Sequence, residues 1–248
     1  MDLLYKGAWA LMLVGLVGML SCSSDDNFIF DPSPTIFGSG TIVQETRTVS
    51  GATGVNMGAV AKLTVEKGAP ERIELQTDDN LMARILTEVQ GGILVIRHDP
   101  TVTVQSSQRM EAHLRLGSID TIMLTGVGEI RVPDLTTNQL ALTMSGVGDI
   151  AVTNLVAQSL DVQLSGVGGI SASGQVDDQQ ITVSGVGDYD AENLSSRTAD
   201  VLISSISSAT VRVSTTLNVT FTGSGSVFYH GSPVVTITGT GSVTQVTP

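Results

Sequence analysis

The chain has 248 residues and carries 24 Asp+Glu against 12 Lys+Arg, a formal net charge of −12. That balance makes nucleic acid a poor partner, because phosphate binding needs clustered Lys and Arg; it also disfavours a peripheral grip on anionic lipid headgroups. A single Cys excludes an intrachain disulfide framework, the three histidines (His98, His113, His230) show no ligand spacing, and no metal or cofactor is expected.

Val, Ile and Thr together fill 74 positions. So large a β-branched share suits half-buried pleated surfaces and predicts an all-β chain. At the N-terminus, the apolar run from Ala8 to Leu20 follows Lys6 and is too short to span a bilayer, which takes ~20 residues. It suits the apolar region of a signal peptide covering residues 1–21. The run ends at Met19-Leu20-Ser21-Cys22, which resembles the lipobox of bacterial lipoproteins. The resemblance implies a lipid on Cys22 and a membrane partnership through that anchor, and the following Ser23-Ser24-Asp25-Asp26 resembles surface-export signals of some Gram-negative lipoproteins, which implies an outer-membrane protein facing the cell surface. Residues 22–37, with Asp25, Asp26, Pro32 and Pro34, read as an acidic tether.

A folded domain is expected over residues 38–248, irregular at 38–118 and regularly repeating at 119–248. In the first part, Gly38–Ile42 and Val55–Val60 look like degraded forms of the later repeat. Lys62–Glu66, Arg72–Gln76 and Ile93–Arg97 read as strands. Asp78-Asp79-Asn80 offers a helix N-cap, predicting a short helix over Leu81–Val89 before a turn at Gly91-Gly92.

The second part is a repeat, which outranks other signals. Thr125-Gly-Val-Gly-Glu-Ile130 is followed by copies starting at Ser145, Ser165, Ser184, Ser204, Thr222 and Thr238. Between copies, segments such as Leu140–Met144 and Leu160–Leu164 alternate apolar with polar residues, the period of a half-buried strand. The pattern predicts a parallel β-helix, a solenoid with about 20 residues per coil, whose coils stack at ~4.8 Å per rung. Three inward ladders are expected. One holds Val127, Val147, Val167, Val186 and Ile206. Another holds Ile130, Ile150, Ile170, Tyr189, Ala209 and Val227. The third holds Leu142, Val162, Val183 and Ile203 or their neighbours. The paired glycines fit tight corners without room for a Cβ. The fifth copy replaces both glycines by Ser, so its corner is expected to be wider.

Several stretches together resemble the putative auto-transporter adhesin, head GIN domain family of bacterial lipoproteins. They are Val49–Val55, Thr77-Asp-Asp-Asn-Leu81 followed by Thr87-Glu-Val89, Gly92–Ile96 and the Ser-Gly-Val-Gly-Asp copies. The resemblance spans roughly Ser39 to Val246 and implies a right-handed parallel β-helix with no catalytic motif to carry over.

Three functions compete. The preferred one is a non-enzymatic surface lipoprotein acting as an adhesion or interaction module for a glycan or protein ligand. Its candidate binding residues are the aromatics Phe228 and Tyr229 and the corner carboxylates Asp149 and Asp188. Phe221, Phe228 and Tyr229 are expected rather to plug the end of the core, and the carboxylates to be solvated, since a calcium β-roll needs a period of nine. The alternative is a structural component that self-associates through its unpaired solenoid ends. A polysaccharide-cleaving enzyme ranks last. It needs two carboxylates on one face, and only Asp177-Asp178 and Asp188/Asp190/Glu192 are dense enough in the repeats.

Overall fold

Alternation of apolar and polar residues puts one side chain in two inside each coil, and the computed structural model, which describes residues 33–246, builds a β-solenoid of about six turns from it. The N-terminal part comprises β1 (Thr35–Phe37), β2 (Ile42–Thr48), β3 (Gly54–Met57), β4 (Val60–Lys67), β5 (Arg72–Asp78), α1 (Asp79–Met82), β6 (Ile85–Gln90), β7 (Ile93–His98), β8 (Thr103–Gln105) and β9 (Met110–Leu116). The repeats supply β10 (Thr121–Leu124), β11 (Val127–Val132), β12 (Leu135–Thr136), β13 (Gln139–Met144), β14 (Val147–Leu164), β15 (Val167–Val183), β16 (Tyr189–Ile203), β17 (Ser208–Phe221), β18 (Ser226–His230), β19 (Val234–Thr238) and β20 (Ser242–Gln245). Residues 33–246 belong to one compact unit in which the strands find their partners.

All rungs of the stack pair in parallel, but their spatial order departs from chain order. The rung β3/β4 lies between β7/β9 on one side and β10/β11 on the other. From β10 onward each coil stacks on the one before it. Antiparallel strands close the first end: β6 pairs with β7, β5 with β9, and β2 with β5. The last rung, β19/β20, stacks on β17 and β18.

The ladder Ile130–Ile150–Ile170–Tyr189–Ala209–Val227 is buried and in register, as expected. The valine ladder is not inward. Val127, Val147, Val167, Val186 and Ile206 are 43–81% exposed. The reason is parity. Successive side chains of an extended chain point to opposite faces, and counting back from Ile130 by twos reaches Gly128, Gly126 and Leu124. The inward parity at the corner therefore belongs to glycine, and Val127 has the outward parity. A Cβ at Gly148 would collide with the carbonyl oxygen of Gly128, one at Gly168 with that of Gly148, and both residues have positive φ (139° and 131°). Close packing of neighbouring corners thus excludes any side chain there.

The third expected ladder splits into two columns of the same parity. Leu142–Val162–Ile181–Val201–Val219 is one, and Met144–Leu164–Val183–Ile203–Phe221 is the other. A 19-residue coil puts Ile181, not Val183, level with Val162. At the fifth corner, Ser207 takes the inward parity and is buried. Its hydroxyl accepts from the Gly187 N–H (3.1 Å) and donates to the Gly185 carbonyl (3.0 Å), so a side chain spans the gap that direct backbone pairing fills elsewhere.

Two N-terminal expectations are corrected. The helix is a single turn, Asp79–Met82, and Ile85–Gln90 is a strand. Ile85, Thr87 and Val89 favour extended backbone. Gly91 and Gly92, at φ 58° and 83°, form the two-residue connection of a hairpin. Gly38–Ile42 is no corner; residues 38–41 are a loop clamped by the helical turn, and Ile42 begins β2. Buried Asp78 accepts hydrogen bonds from the Gly40 N–H (2.7 Å), the Ser107 N–H (2.9 Å) and the Ser107 hydroxyl (2.6 Å). Asn80 adds bonds to Ser39 and Phe37.

Candidate functional site

Outward positions on the strands before each corner form a polar face. Strand pairing aligns Thr121, Ala141, Asp161, Gln180, Asp200 and Asn218 in one column. Gln139, Ser159, Asp178, Thr198 and Thr216 align two positions earlier. A shallow groove of about 500 Å³ runs between the columns, with Asp120 at its edge. Hydrogen bonds between rungs fix several of these side chains. Asn218 donates to Asp200 (2.7 Å), Arg197 to Asp178 (2.8 Å) and Thr198 also to Asp178; within a single rung, the Thr121 hydroxyl donates to Asp120 (2.9 Å). Carboxylates accept while amides and hydroxyls both donate and accept, so the groove offers mixed hydrogen-bonding groups at each ~4.8 Å step.

A second groove, of about 630 Å³, lies on another face and is lined by Gln175, Asp177, Ser195, Arg197, Arg212 and Ser214. It collects the two basic residues that follow Arg131 in the sequence. Arg212 is anchored by donating from Nε to the Glu192 carbonyl at 2.7 Å. Asp177 and Asp178, adjacent in sequence, belong to different grooves, as strand parity requires.

The four sequence-chosen binding residues do not converge. Asp149 and Asp188 stand in the row just past the corners, two rungs apart, which is roughly 10 Å. Each ties its coil to the next: Asp149 accepts from the Gly169 N–H (3.0 Å), and Asp188 from the Ser208 N–H (3.0 Å) and hydroxyl (2.6 Å). Glu129, in the same row, pairs with Arg131 at 2.6 Å. Among the described residues no three of His, Cys, Asp and Glu converge as a metal site.

Phe228 and Tyr229 are neighbours on β18 and face opposite ways. Phe228 points outward between Thr210 and Thr244, while Tyr229 packs against the core between Val211 and Gln245. Phe221 is the buried plug, with Gly241 lying so close to its ring that a Cβ would collide. Cys22 lies outside the described residues. The groove residues Asp161, Gln180 and Asp200 escaped sequence reasoning, yet a signal exists. Each stands four positions before the Ser of a corner, at Ser165, Ser184 and Ser204.

Among the described residues three carboxylates have displaced proton affinities, and all move toward the ionised form. An Arg72 hydrogen bond lowers Glu74, and a Thr101 hydrogen bond lowers Asp99. Burial opposes ionisation of Asp78, but its hydrogen bonds outweigh that and lower it too. None of the three is raised in the way a general acid at neutral pH requires.

The family described as putative auto-transporter adhesin, head GIN domain, matches residues 53–233. The chain belongs to that family. The head GIN match begins just before β3 and ends just before β19, so it covers the stacked rungs up to β18 and both grooves. Solved structures share the fold. A putative adhesin from Bacteroides fragilis superposes with a TM-score of 0.80 at 22% identity, covering 85% of this chain and 100% of its own. A putative lipid binding protein from Parabacteroides distasonis gives 0.74 at 21% identity, covering 86% and 100%. A putative adhesin from the same organism gives 0.66 at 20%, with 86% and 100% covered. No curated protein matches the chain.

Proposed function

We propose that this head GIN protein is a non-enzymatic adhesion module, lipid-anchored at Cys22 in the outer membrane and facing the cell surface, that binds a neutral glycan. The observation that carries the reading is the polar groove, where Asp161, Gln180 and Asp200 repeat hydrogen-bonding groups rung by rung. A rigid stack pre-organises those groups and spares the ordering cost of binding. Polyhydroxylated ligands match alternating acceptors and donors, while the carboxylates repel acidic polysaccharides. The family's adhesin description agrees with a binding rather than a catalytic role. A glycan array probed with residues 33–248 tests it: neutral glycans should bind, and Gln180→Ala with Asp200→Ala should weaken binding about tenfold or more, one or two lost hydrogen bonds. An array on which only acidic glycans bind would sink the reading.

A second reading, a structural component that self-associates through its end, draws on the last rung. No charged side chain follows Arg212, so β19 and β20 lack the charges with which edge strands usually resist further pairing. Light scattering distinguishes it: Thr236→Lys, on β19, should then abolish association.

A further inference from the structure

The corners repeat an apolar residue where the fold asks for none. Val60, Val127, Val147, Val167 and Val186 stand on successive rungs, and the Tyr189–Ala209 pairing carries the row on to Ile206. They are 42–81% exposed. Ser or Thr would serve an outward corner position as well and would be better hydrated. A strip of such β-branched side chains is on the order of the 300–600 Å² patches that mark interaction sites. The positions on either side of each valine from Val127 to Val186 are glycine, so a partner can approach closely. Beyond those glycines the two flanks differ. One carries the hydroxyls of Thr125, Ser145 and Ser184, and the other the carboxylates of Glu129, Asp149 and Asp188.

We propose that this ridge is the contact for a second copy of the chain, with the two solenoids side by side and parallel about a twofold axis running along the stack. Three observations select that occupant and that arrangement. An identical copy has the same ~4.8 Å rung spacing, so contact can continue along the whole ridge without losing step. A twofold along the stack exchanges the flanks, setting each copy's acidic row against the other's hydroxyl row, where hydroxyls donate to carboxylates. The antiparallel alternative would oppose acid to acid in a protein whose net charge is −12. The contact is isologous and therefore closes at two copies. Ridge plus flanks approach the roughly 800 Å² per partner of a standard interface.

Sedimentation equilibrium on residues 33–248 tests this directly, with circular dichroism melts to establish that each variant folds. The parent is expected to dimerise reversibly. The triple variant V147S/V167S/V186S should raise the dimer Kd by ~100-fold or more with its melt unchanged. This segment has no cysteine, because the single Cys is Cys22. Mixing S145C with D149C under mild oxidation should therefore link the two variants to one another. A monomer at all concentrations would overturn the proposal, as would a ridge variant that dimerises like the parent. D149C linking to itself would mean antiparallel packing and overturns it too. A dimer lost in Thr236→Lys but not in the ridge variant would place the contact at the solenoid end instead. A monomer that uses the ridge to bind phosphatidylcholine vesicles would assign the face to lipid, equally against the proposal.

Discussion

At Gly128, Gly148 and Gly168 two constraints coincide, a positive φ and a neighbouring carbonyl where a Cβ would sit. Gly148→Ala violates both and is expected to cost about 3 kcal/mol or more, read as a drop in the urea midpoint at unchanged slope. Gly40 has a positive φ (86°) but open space around it. Gly40→Ala should cost only about 1 kcal/mol, so the difference between the two isolates the carbonyl contact. The interior offers a second test. Tyr189 is buried, and its hydroxyl donates to Gln179 Oε1 at 2.7 Å, the side-chain pair that makes a large polar group tolerable in the isoleucine ladder. Burial pushes the Tyr189 phenol upward, so the donor stays protonated at any physiological pH. Tyr189→Phe should cost about 1–3 kcal/mol because Gln179 loses its partner. Tyr189→Phe with Gln179→Leu should recover part of that. If the double variant is no more stable than the single one, the account of this pair fails.

Elements of the repeat half were readable because sequence period and strand parity agree there. Leu140–Met144 and Leu160–Leu164 alternate cleanly, and their neighbours stack in the expected register. The same parity placed the corner valines outward, and reading them by hydropathy alone misplaced a whole row. The capping strands were harder. Nothing local in Ile42–Thr48 says that it pairs antiparallel with Arg72–Asp78, and nothing local puts the β3/β4 rung between two later ones. The Thr77–Leu81 motif looked like a helix start, yet its carboxylate serves a distant loop. Asp78→Ala removes three hydrogen bonds to a buried carboxylate and is expected to destabilise the cap by about 1–3 kcal/mol. Its pH dependence has a defined sign. A carboxyl lowered in the folded state stabilises above its unfolded pKa of about 4, and that stability is lost as pH falls through the folded value. Burial lowers His98 as well, so acidification through about pH 6.5 favours its unfolded, protonated form. Protection factors of the β2 and β5 amides, taken relative to intrinsic exchange at each pH, should therefore fall on acidification while those of the repeat core hold. Cap and core losing protection together would contradict the independent role assigned to Asp78.

Over the whole molecule, charge is distributed unevenly. No Asp or Glu follows Asp200 and no Lys or Arg follows Arg212. The last rungs are neutral and hydroxyl-rich, whereas Asp120, Asp161, Asp178 and Asp200 gather on the groove between the two ends. Sequence reasoning found the solenoid, but it chose site residues by residue type. Phe228, Tyr229, Asp149 and Asp188 proved to occupy different faces or to serve as ties between coils. The groove emerges only when coils are superposed, because its members are about 20 residues apart and ordinary in themselves. Titration of residues 33–248 with a neutral oligosaccharide found on the array, followed by calorimetry, tests the adhesion reading most directly. The account predicts saturable binding weakened about tenfold or more by Gln180→Ala with Asp200→Ala, the sugar recovered intact, and no effect from Phe228→Ala. Binding that ignores the groove variant and is abolished by Phe228→Ala, or a sugar recovered cleaved, would contradict it.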